Sequence, residues 1–213
     1  MYFSRITLKD GVDKEPEFWR LGSQYSIHQA VWDIFSGDPN KKRDFLYRIE
    51  NIGRFPLIYA VSCRKPIDSA IWNFETKEYN PQIPHGTHLG FVLRVNPIIT
   101  REKKRHDVVM DYKRRLKDRS EAVENREVVQ EAGRKWLESK GEKNGFKIEQ
   151  VKADGYLQHK FVKKISQDVI QYSTLDFTGI IAVINEGLFK NLLFHGIGAE
   201  KGFGCGLMLV RKI

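Results

Sequence analysis

The spacing of apolar and polar residues predicts a strand followed by a helix at the start of the chain. The segment from Tyr2 to Lys9 sets apolar side chains among polar ones, as in a half-buried strand. The segment GSQYSIHQAVWDIFSG fits the helical period, with Ser23 placed to cap its start and Gly37 to end it. We therefore expect a strand and then an amphipathic helix.

One face of this helix is apolar, and the other carries a histidine. Successive residues turn by about 100° in an α-helix, so residues three and four apart share a face. Tyr25, His28 and Trp32 fall together, opposite an apolar stripe. The stripe consists of Ile27, Ala30, Val31, Ile34 and Phe35. Since a histidine that filled the core would lie on the stripe, the pattern predicts that His28 faces away from the core, either solvated or functional.

The segments that follow predict the remaining strands of a first βαββαβ unit. The runs KKRDFLYRIEN and GRFPLIYAVSCRKP are strand-like and meet at Asn51-Ile52-Gly53, a hairpin-type break. A further strand is predicted in THLGFVLRVNPII. These elements make up most of the ferredoxin-like plan, and Ile67 to Phe74 is the candidate for its second helix.

The second half of the chain resembles the first in the order of its predicted elements. Residues 101–119 carry nine Lys and Arg against four acidic residues, and a charged helix follows them. Two strands, the helix NEGLFKNLLFH and the strand GLMLVRKI come next. The sequence therefore predicts an α+β fold of two tandem ferredoxin-like (RRM-like, βαββαβ) domains, at 1–100 and 146–213, joined by a basic and helical connector at 101–145.

Composition and charge point to a polyanionic partner. The chain has 213 residues, of which 41% are hydrophobic, enough to bury a core, and its formal net charge is +9. This surplus favours nucleic acid as the partner, because no apolar run reaches the roughly 18 residues of a membrane helix. Neither a signal peptide nor a CxxC pair around Cys63 or Cys205 is present, so we expect a cytoplasmic protein without a disulfide framework.

A second informative stretch is GIGAEKGFGCG, Gly196 to Gly206. Five glycines in eleven residues allow close approach of the backbone to a ligand. The spacing departs from GxGxxG, and Gly-Lys-Ser/Thr is absent, so neither a dinucleotide nor a Walker loop is predicted. Phe203, Cys205 and Leu207 alternate with glycine, which indicates a structured loop that approaches a phosphate or packs on a helix.

Other histidines offer weaker candidates. His85 and His88 have an HxxH spacing but stand in a Pro/Gly loop, which favours a solvated loop over a metal site. His106-Asp107 matches metal-dependent phosphohydrolases only as a dipeptide. His195 ends a predicted helix, where a cation is favoured by the helix dipole.

Four segments, in chain order, resemble the CasE family, the CRISPR RNA-processing endoribonucleases of type I-E systems. They are YSIHQAVWDIF, FLYRIE, KRHDVVMD and HGIGAEKGFGCGLMLVRK, of which the last is the most specific. The resemblance implies two ferredoxin-like domains, binding and cleavage of a CRISPR repeat hairpin, and assembly with other Cascade subunits. It further implies a catalytic His28 with Tyr25 one turn earlier. Because no cluster of ligands has metal-binding spacing, we expect cleavage without a metal, and we expect no cofactor.

RNA-binding residues are assigned from charge and from the glycine-rich loop. The lysines of HKFVKK lie on a probable hairpin, where they grip phosphates or form a solvated face. The assigned residues are Lys41, Lys42, Arg43, Lys160, Lys163, Lys164, Lys201, Gly198, Gly202 and Gly204.

The chemistry implied by the resemblance is attack of the 2′-hydroxyl on the neighbouring phosphate, which leaves a 2′,3′-cyclic phosphate and a 5′-hydroxyl. Histidine suits the proton transfer because its ordinary pKa, ~6.5, lies near neutral pH. Two alternatives stay open at this point. One is a non-catalytic RNA-binding module in which Tyr25 and Trp32 stack on bases, and the other is a metal-dependent phosphohydrolase at His106-Asp107 or at His85 and His88.

Overall fold

The computed structural model describes residues 1–12, 24–35, 43–53, 55–118, 124–162 and 169–213, and two antiparallel sheets of four strands form its frame. The strands are β1 (Tyr2–Leu8), β2 (Phe45–Ile52), β3 (Phe55–Ser62), β4 (Trp72–Glu78), β5 (His88–Val95), β6 (Ile98–Arg101), β7 (Lys104–Asp107), β8 (Phe146–Val162), β9 (Val169–Val183) and β10 (Met208–Lys212). The helices are α1 (Gln24–Phe35), α2 (Val108–Asp118), α3 (Asn125–Gly141) and α4 (Glu186–His195), with 3-10 turns at Glu142–Asn144 and Lys201–Phe203.

The first sheet has the strand order β2-β3-β1-β4 and carries α1 on one face. The central strand β1 pairs antiparallel with both β3 and β4, so that Ile6 lies opposite Ile58 on one side and Phe74 on the other. Val31, Ile34 and Phe35 of the predicted stripe are buried against this sheet. The hydrophobic period thus predicted both the helix and its buried face.

The second helix expected in this unit at Ile67 to Phe74 is absent, and that prediction is wrong. Residues 63–71 form an irregular connection, and β4 begins at Trp72. Trp72 is buried while the next residue, Asn73, is exposed, an alternation that belongs to a half-buried strand. A short apolar run with two aromatic residues fits a strand as well as a helix, and pairing with β1 decides between them.

The second sheet has the order β10-β5-β9-β8, which is the same topological order as in the first sheet. Its chain path is β5, then α2 and α3, then β8 and β9, then α4 and β10, a complete βαββαβ unit. The assignment of β5 to the first unit is therefore wrong, because β5 pairs with β9 and β10. We propose that the two units divide within 79–87 rather than at residue 100. The predicted fold of two tandem ferredoxin-like domains is confirmed.

The segment predicted as a connector contributes to the core of the second unit, so treating it as a linker is also wrong. Its buried residues are Val108, Val109, Val128, Val129, Ala132, Trp136 and Leu137. Gly133 lets α3 approach the sheet, since a Cβ there would lie 2.8 Å from the Cβ of Ala153 and 2.9 Å from a methyl of Leu175. The Lys and Arg residues of α2 and α3 lie on the faces of these helices that point away from the core.

The two units meet through apolar contacts and an ion network. Leu46 and Val61 of the first sheet form a small buried cluster with Leu207 of the second. Arg94 donates two hydrogen bonds to Asp176, at 2.8 and 2.7 Å, and a third to the carbonyl of Ile49 in the first sheet, at 3.3 Å. Among the helices that the structure describes, none is long and apolar enough to span a bilayer.

Candidate active site

The candidate site lies where α1, β2 and the glycine-rich loop meet at the junction of the two units. His28 of α1 is half-buried, and its imidazole ring packs against Phe203 with ring centroids 5.0 Å apart. Its Nδ1 lies 3.3 Å from the hydroxyl oxygen of Tyr47 on β2. His28 is thus off the apolar stripe, as predicted, but it faces the loop of the second unit rather than open solvent.

The pKa of His28 is lowered from its ordinary value, mainly because burial disfavours the charged ring. The positive charge of Arg43 lowers it further, whereas a hydrogen bond to the carbonyl of Gly202 acts in the opposite direction. The net direction favours a neutral imidazole near neutral pH. A neutral ring accepts a proton, which is what a general base requires.

Tyr47 is a site residue that the sequence analysis missed. It is 1% exposed, and its hydroxyl donates to the carbonyl oxygen of Gly202 at 2.5 Å. Burial raises its pKa well above the ordinary range, so the phenol stays protonated. In the sequence, FLYRIE has the composition of a core strand, and the one available signal was that a buried tyrosine hydroxyl needs a partner.

The glycine-rich loop packs on a helix at one of its residues and borders the candidate site at another. Gly198 lies against the ring of Trp136 on α3, 3.4 Å from where a Cβ would be, so this part of the loop packs on a helix. At Gly202 a Cβ would lie 3.6 Å from Nη1 of Arg43 and 3.7 Å from Cε1 of His28. Gly202 therefore adjoins the histidine and the guanidinium together.

Two of the predicted cationic residues lie near each other at the site, and one of them, Arg43, lies beside the histidine. Arg43 is half-buried and its pKa is lowered by burial, with partial compensation from Tyr47 and Glu200. Lys201 donates from Nζ to the carbonyl of His195 at 2.7 Å, and its pKa is lowered by burial and then by the charge of Arg43. Cationic groups held together in partial burial destabilise one another, and an anion between them relieves that cost.

Aromatic rings connect this site to the β8–β9 hairpin. Phe203 stacks on Tyr172 at 5.1 Å and meets the edge of Phe161 at 5.5 Å. Tyr172 in turn stacks on His159 at 4.8 Å. The loop residue beside His28 is therefore held by the hairpin, which ties the position of the histidine to the second unit.

Several predicted residues lie elsewhere. Lys160 is exposed on β8 and, because side chains alternate along a strand, occupies the face opposite Phe161 and the aromatic cluster. Trp32 lies beside His28, with ring centroids 6.3 Å apart, and also packs edge-on against Phe45 at 5.6 Å. Tyr25 lies on α1, but its side chain is outside the described residues. Lys41, Lys42, Lys163 and Lys164 are outside them entirely.

The alternative histidine motifs have structural partners. Asp107 caps α2 by accepting from the backbone N–H groups of Val109 and Met110, both at 2.9 Å, and it also accepts from Tyr156 and Ser173. His88 pairs through Nδ1 with Glu149 at 2.8 Å. Over the described ranges, no cluster of three or more His, Cys, Asp or Glu side chains could hold a metal ion.

The fold and the site together define a class of protein: tandem ferredoxin-like domains with a histidine–tyrosine pair and cationic side chains at their junction. The comparison with known families then places the chain. Residues 1–212 match the family described as CRISPR associated protein, and the chain belongs to that family. The match covers both units and the junction between them.

Individual relatives agree with this placement. The chain is 29% identical over 189 residues to the CRISPR system Cascade subunit CasE of Escherichia coli (strain K12), across 86% of this chain and 89% of that protein. Cse3 of Thermus thermophilus, solved with an RNA representing a pre-cleavage complex, superposes with a TM-score of 0.74 at 19% identity, over 99% of this chain and 98% of that one. Cas6e of Escherichia coli K-12 gives a TM-score of 0.65 at 22% identity over the whole of both chains. The resemblance to CasE indicated by the sequence motifs is confirmed.

Proposed function

We propose that this protein is a metal-independent endoribonuclease that cleaves CRISPR repeat hairpins in precursor CRISPR RNA to give mature guide RNAs. Membership of the CRISPR-associated family supports this, as does similarity to proteins described as a Cascade subunit and as a CRISPR endoribonuclease bound to RNA. The observation that carries the proposal is the position of His28, next to Arg43 and the backbone of Gly202.

The reaction needs a proton acceptor, a held phosphate and an aligned nucleophile. The 2′-oxygen attacks the adjacent phosphorus as its proton is removed, and the bond from phosphorus to the 5′-oxygen breaks. The products are a 2′,3′-cyclic phosphate and a 5′-hydroxyl. A positioned histidine contributes typically about 10²–10⁴-fold to such a transfer, and alignment of the attacking and leaving oxygens contributes further.

Arg43 and Lys201 are suited to hold the phosphate. A guanidinium can donate two parallel hydrogen bonds to phosphate oxygens and stabilises the charge that develops on them in the transition state. Gly202 has no side chain to keep the phosphate away from His28. Tyr25, one turn before His28, orients the ribose or phosphate in this proposal.

Substrate binding would extend well beyond this centre. An A-form hairpin is recognised mainly through its backbone shape and phosphates, which suits a net charge of +9. We assign further phosphate contacts to Lys160 on β8, to Lys163 and Lys164 of the same sequence segment HKFVKK, and to Lys41 and Lys42 before β2 in the sequence. The cleaved hairpin would stay bound and enter the Cascade complex with the protein.

The test is single-turnover cleavage of repeat RNA in EDTA, with the product ends mapped. We expect a 2′,3′-cyclic phosphate, no effect of EDTA, and no cleavage of RNA with a 2′-deoxy sugar just before the cut. His28→Ala should lower the rate by about 10²-fold or more with little change in RNA affinity. The matched control is His85→Ala, which removes an exposed histidine of the HxxH motif.

Each alternative gives a different result. Loss of cleavage in EDTA, with rescue by Mg²⁺ or Mn²⁺, would support a metal-dependent phosphohydrolase and overturn the proposal. Tight binding without any cleavage would support a non-catalytic module. Wild-type cleavage by His28→Ala would place the catalytic site elsewhere. Since His28 packs on Phe203, His28→Gln and a thermal unfolding curve check that loss of rate is not loss of fold.

A further inference from the structure

We propose that a cavity beside the first residues of β9 binds one unpaired nucleobase of the RNA, next to the nucleotides that are cleaved at His28. The cavity measures about 210 Å³, below the range of pockets for larger ligands, and this suits a single heterocyclic base. It lies where β9 extends beyond its pairing with β5, which ends at Leu175. The inference rests on the proposed function and adds to it a subsite that reads a base.

Two residues connect the cavity to the candidate site. Tyr172 lines the cavity, and its ring stacks on Phe203, which in turn packs on His28, at centroid distances of 5.1 and 5.0 Å. Glu200 also lines the cavity and stands two residues before Gly202. Its φ of 51° is uncommon for a residue with a side chain, and such conformations cluster at ligand sites. RNA that is cleaved at His28 therefore brings a neighbouring nucleotide to the cavity.

The carboxylates of the cavity favour a base over a phosphate. Asp107 and Glu200 both line it, and their negative charge repels a phosphate but accepts the N–H groups of a base. Asp107 is saturated, because two backbone N–H groups and the hydroxyls of Tyr156 and Ser173 donate to it. Glu200 is still able to accept, since its ion pair with Arg105 spans 3.6 Å and is too long for a hydrogen bond.

Two glutamines of the cavity supply amides that can read a base. The side chain of Gln171 is exposed and makes no hydrogen bond to the described residues. Gln158 donates through Nε2 to the hydroxyl of Tyr156 at 3.2 Å, which leaves its carbonyl oxygen able to accept. An amide presents donor and acceptor side by side, as base edges do, and unpaired bases of RNA are read in this way. A base within a stem has its Watson–Crick edge engaged, so the occupant is unpaired.

Basic side chains border the cavity and are placed to contact the phosphates beside the bound base. Lys160 lies opposite Gln171 in the β8–β9 register, and directly opposed residues share a face of the sheet. Arg105 of the β6–β7 hairpin lines the cavity, and the other Lys and Arg side chains of that hairpin are exposed as well. The start of the basic segment at 101–119 thus becomes part of the RNA surface.

The experiment measures binding of the full-length protein to a non-cleavable repeat RNA. This RNA carries a 2′-deoxy sugar just before the cut and is kept in EDTA. Each of its unpaired nucleotides is replaced in turn by an abasic one. We expect one position, beside the cut, at which removal of the base weakens binding to the wild-type protein by at least about 5-fold, the lower end for a bidentate base contact.

Gln171→Leu tests whether that base binds in the cavity. The change removes the amide from an exposed side chain, so the fold is retained. Binding of the intact RNA should weaken by a similar factor. With the RNA that is abasic at the sensitive position, Gln171→Leu should cause no further loss, because both changes remove the same contact. The matched control is Gln150→Leu, an exposed glutamine at the other end of β8, which should bind like the wild type.

The outcomes separate this inference from the function on which it rests. Wild-type affinity of Gln171→Leu would overturn the inference, and so would losses that add up fully at every abasic position. A loss that is the same for all RNAs and reduces the slope against salt would assign Gln171 to the phosphate backbone and also overturn it. Failure of the proposed function would appear instead in the cleavage assay, as wild-type cutting by His28→Ala, and binding of the non-cleavable RNA does not depend on that result.

Discussion

Replacing Gly202 by alanine tests whether the space between His28 and Arg43 is where the phosphate binds. Gly202 is not in the left-handed region of backbone conformation, so a Cβ causes no backbone strain there. That Cβ would lie 3.6 Å from Nη1 of Arg43 and 3.7 Å from Cε1 of His28, both ordinary van der Waals distances. The protein therefore accommodates the methyl group, whereas a ligand bound in the same space would clash with it.

Stability and activity should respond in opposite directions. Gly→Ala at a compatible position stabilises a protein by roughly 0.4–1 kcal/mol, because the unfolded chain loses freedom. We therefore expect Gly202→Ala to unfold at the same or slightly higher urea concentration. A phosphate displaced by the methyl group would be misplaced by about 1 Å or more, which costs about 10²-fold in rate. Single-turnover cleavage should fall by that order.

Gly204→Ala is the matched control in the same loop. Gly204 has φ of +78°, and its Cβ would lie 3.3 Å from the ring of Tyr47. Left-handed backbone costs about 1–2 kcal/mol for a residue with a side chain, so this variant should lose stability. Wild-type cleavage by Gly202→Ala would refute the reasoning and move the phosphate elsewhere. A loss of stability in Gly202→Ala equal to that in Gly204→Ala would show that the loop, rather than a ligand, needs the glycine.

Two further predictions concern the junction and the outer binding surface. Asp176→Asn should cost about 2 kcal/mol in urea unfolding, since it breaks the bidentate pair with Arg94 and removes one of the two carboxylates beside the buried Arg48, which keeps Glu50; the exposed-pair control Glu75→Gln should cost at most about 1 kcal/mol, and equal losses would contradict the argument. Lys160→Ala should weaken RNA binding and reduce the slope of log affinity against log salt by slightly under one unit, without changing the rate at saturation, whereas wild-type affinity would remove Lys160 from the RNA surface.

The periodicity of hydrophobic residues correctly predicted the elements that pack against a single sheet. The stripe of α1 encodes its burial because one sheet covers it, and Val31, Ile34 and Phe35 are buried as expected. Strand β5 alternates equally clearly, with Leu89 and Phe91 buried, but this pattern is the same in either sheet. Its pairing partners are β9 and β10, which come at least 70 residues later in the chain. The alternation within β5 therefore cannot identify them.

The basic segment shows why composition alone did not predict that residues 101–119 contribute to the core. Its charges dominate any average over 101–119, yet Val108 and Val109 are buried in the core of the second unit. Asp111 is also buried, and it pairs with Arg101, Arg114 and Arg115. A helix with one buried face needs only a few apolar residues, so a high charge count does not distinguish a linker from a packed helix.

Some features of the candidate site could be predicted from neighbouring residues, whereas others depend on residues far away in the sequence. The face on which His28 lies was predicted because its position relative to a local stripe is readable from twelve residues of helix, whereas its catalytic role was implied by the family resemblance alone. Tyr47 was missed because its role depends on the carbonyl of Gly202, 155 residues away, and a carbonyl has no sequence signature. The helix face on which a side chain lies can thus be predicted from sequence, whereas the partners of that side chain are set by contacts that only the folding of both units creates.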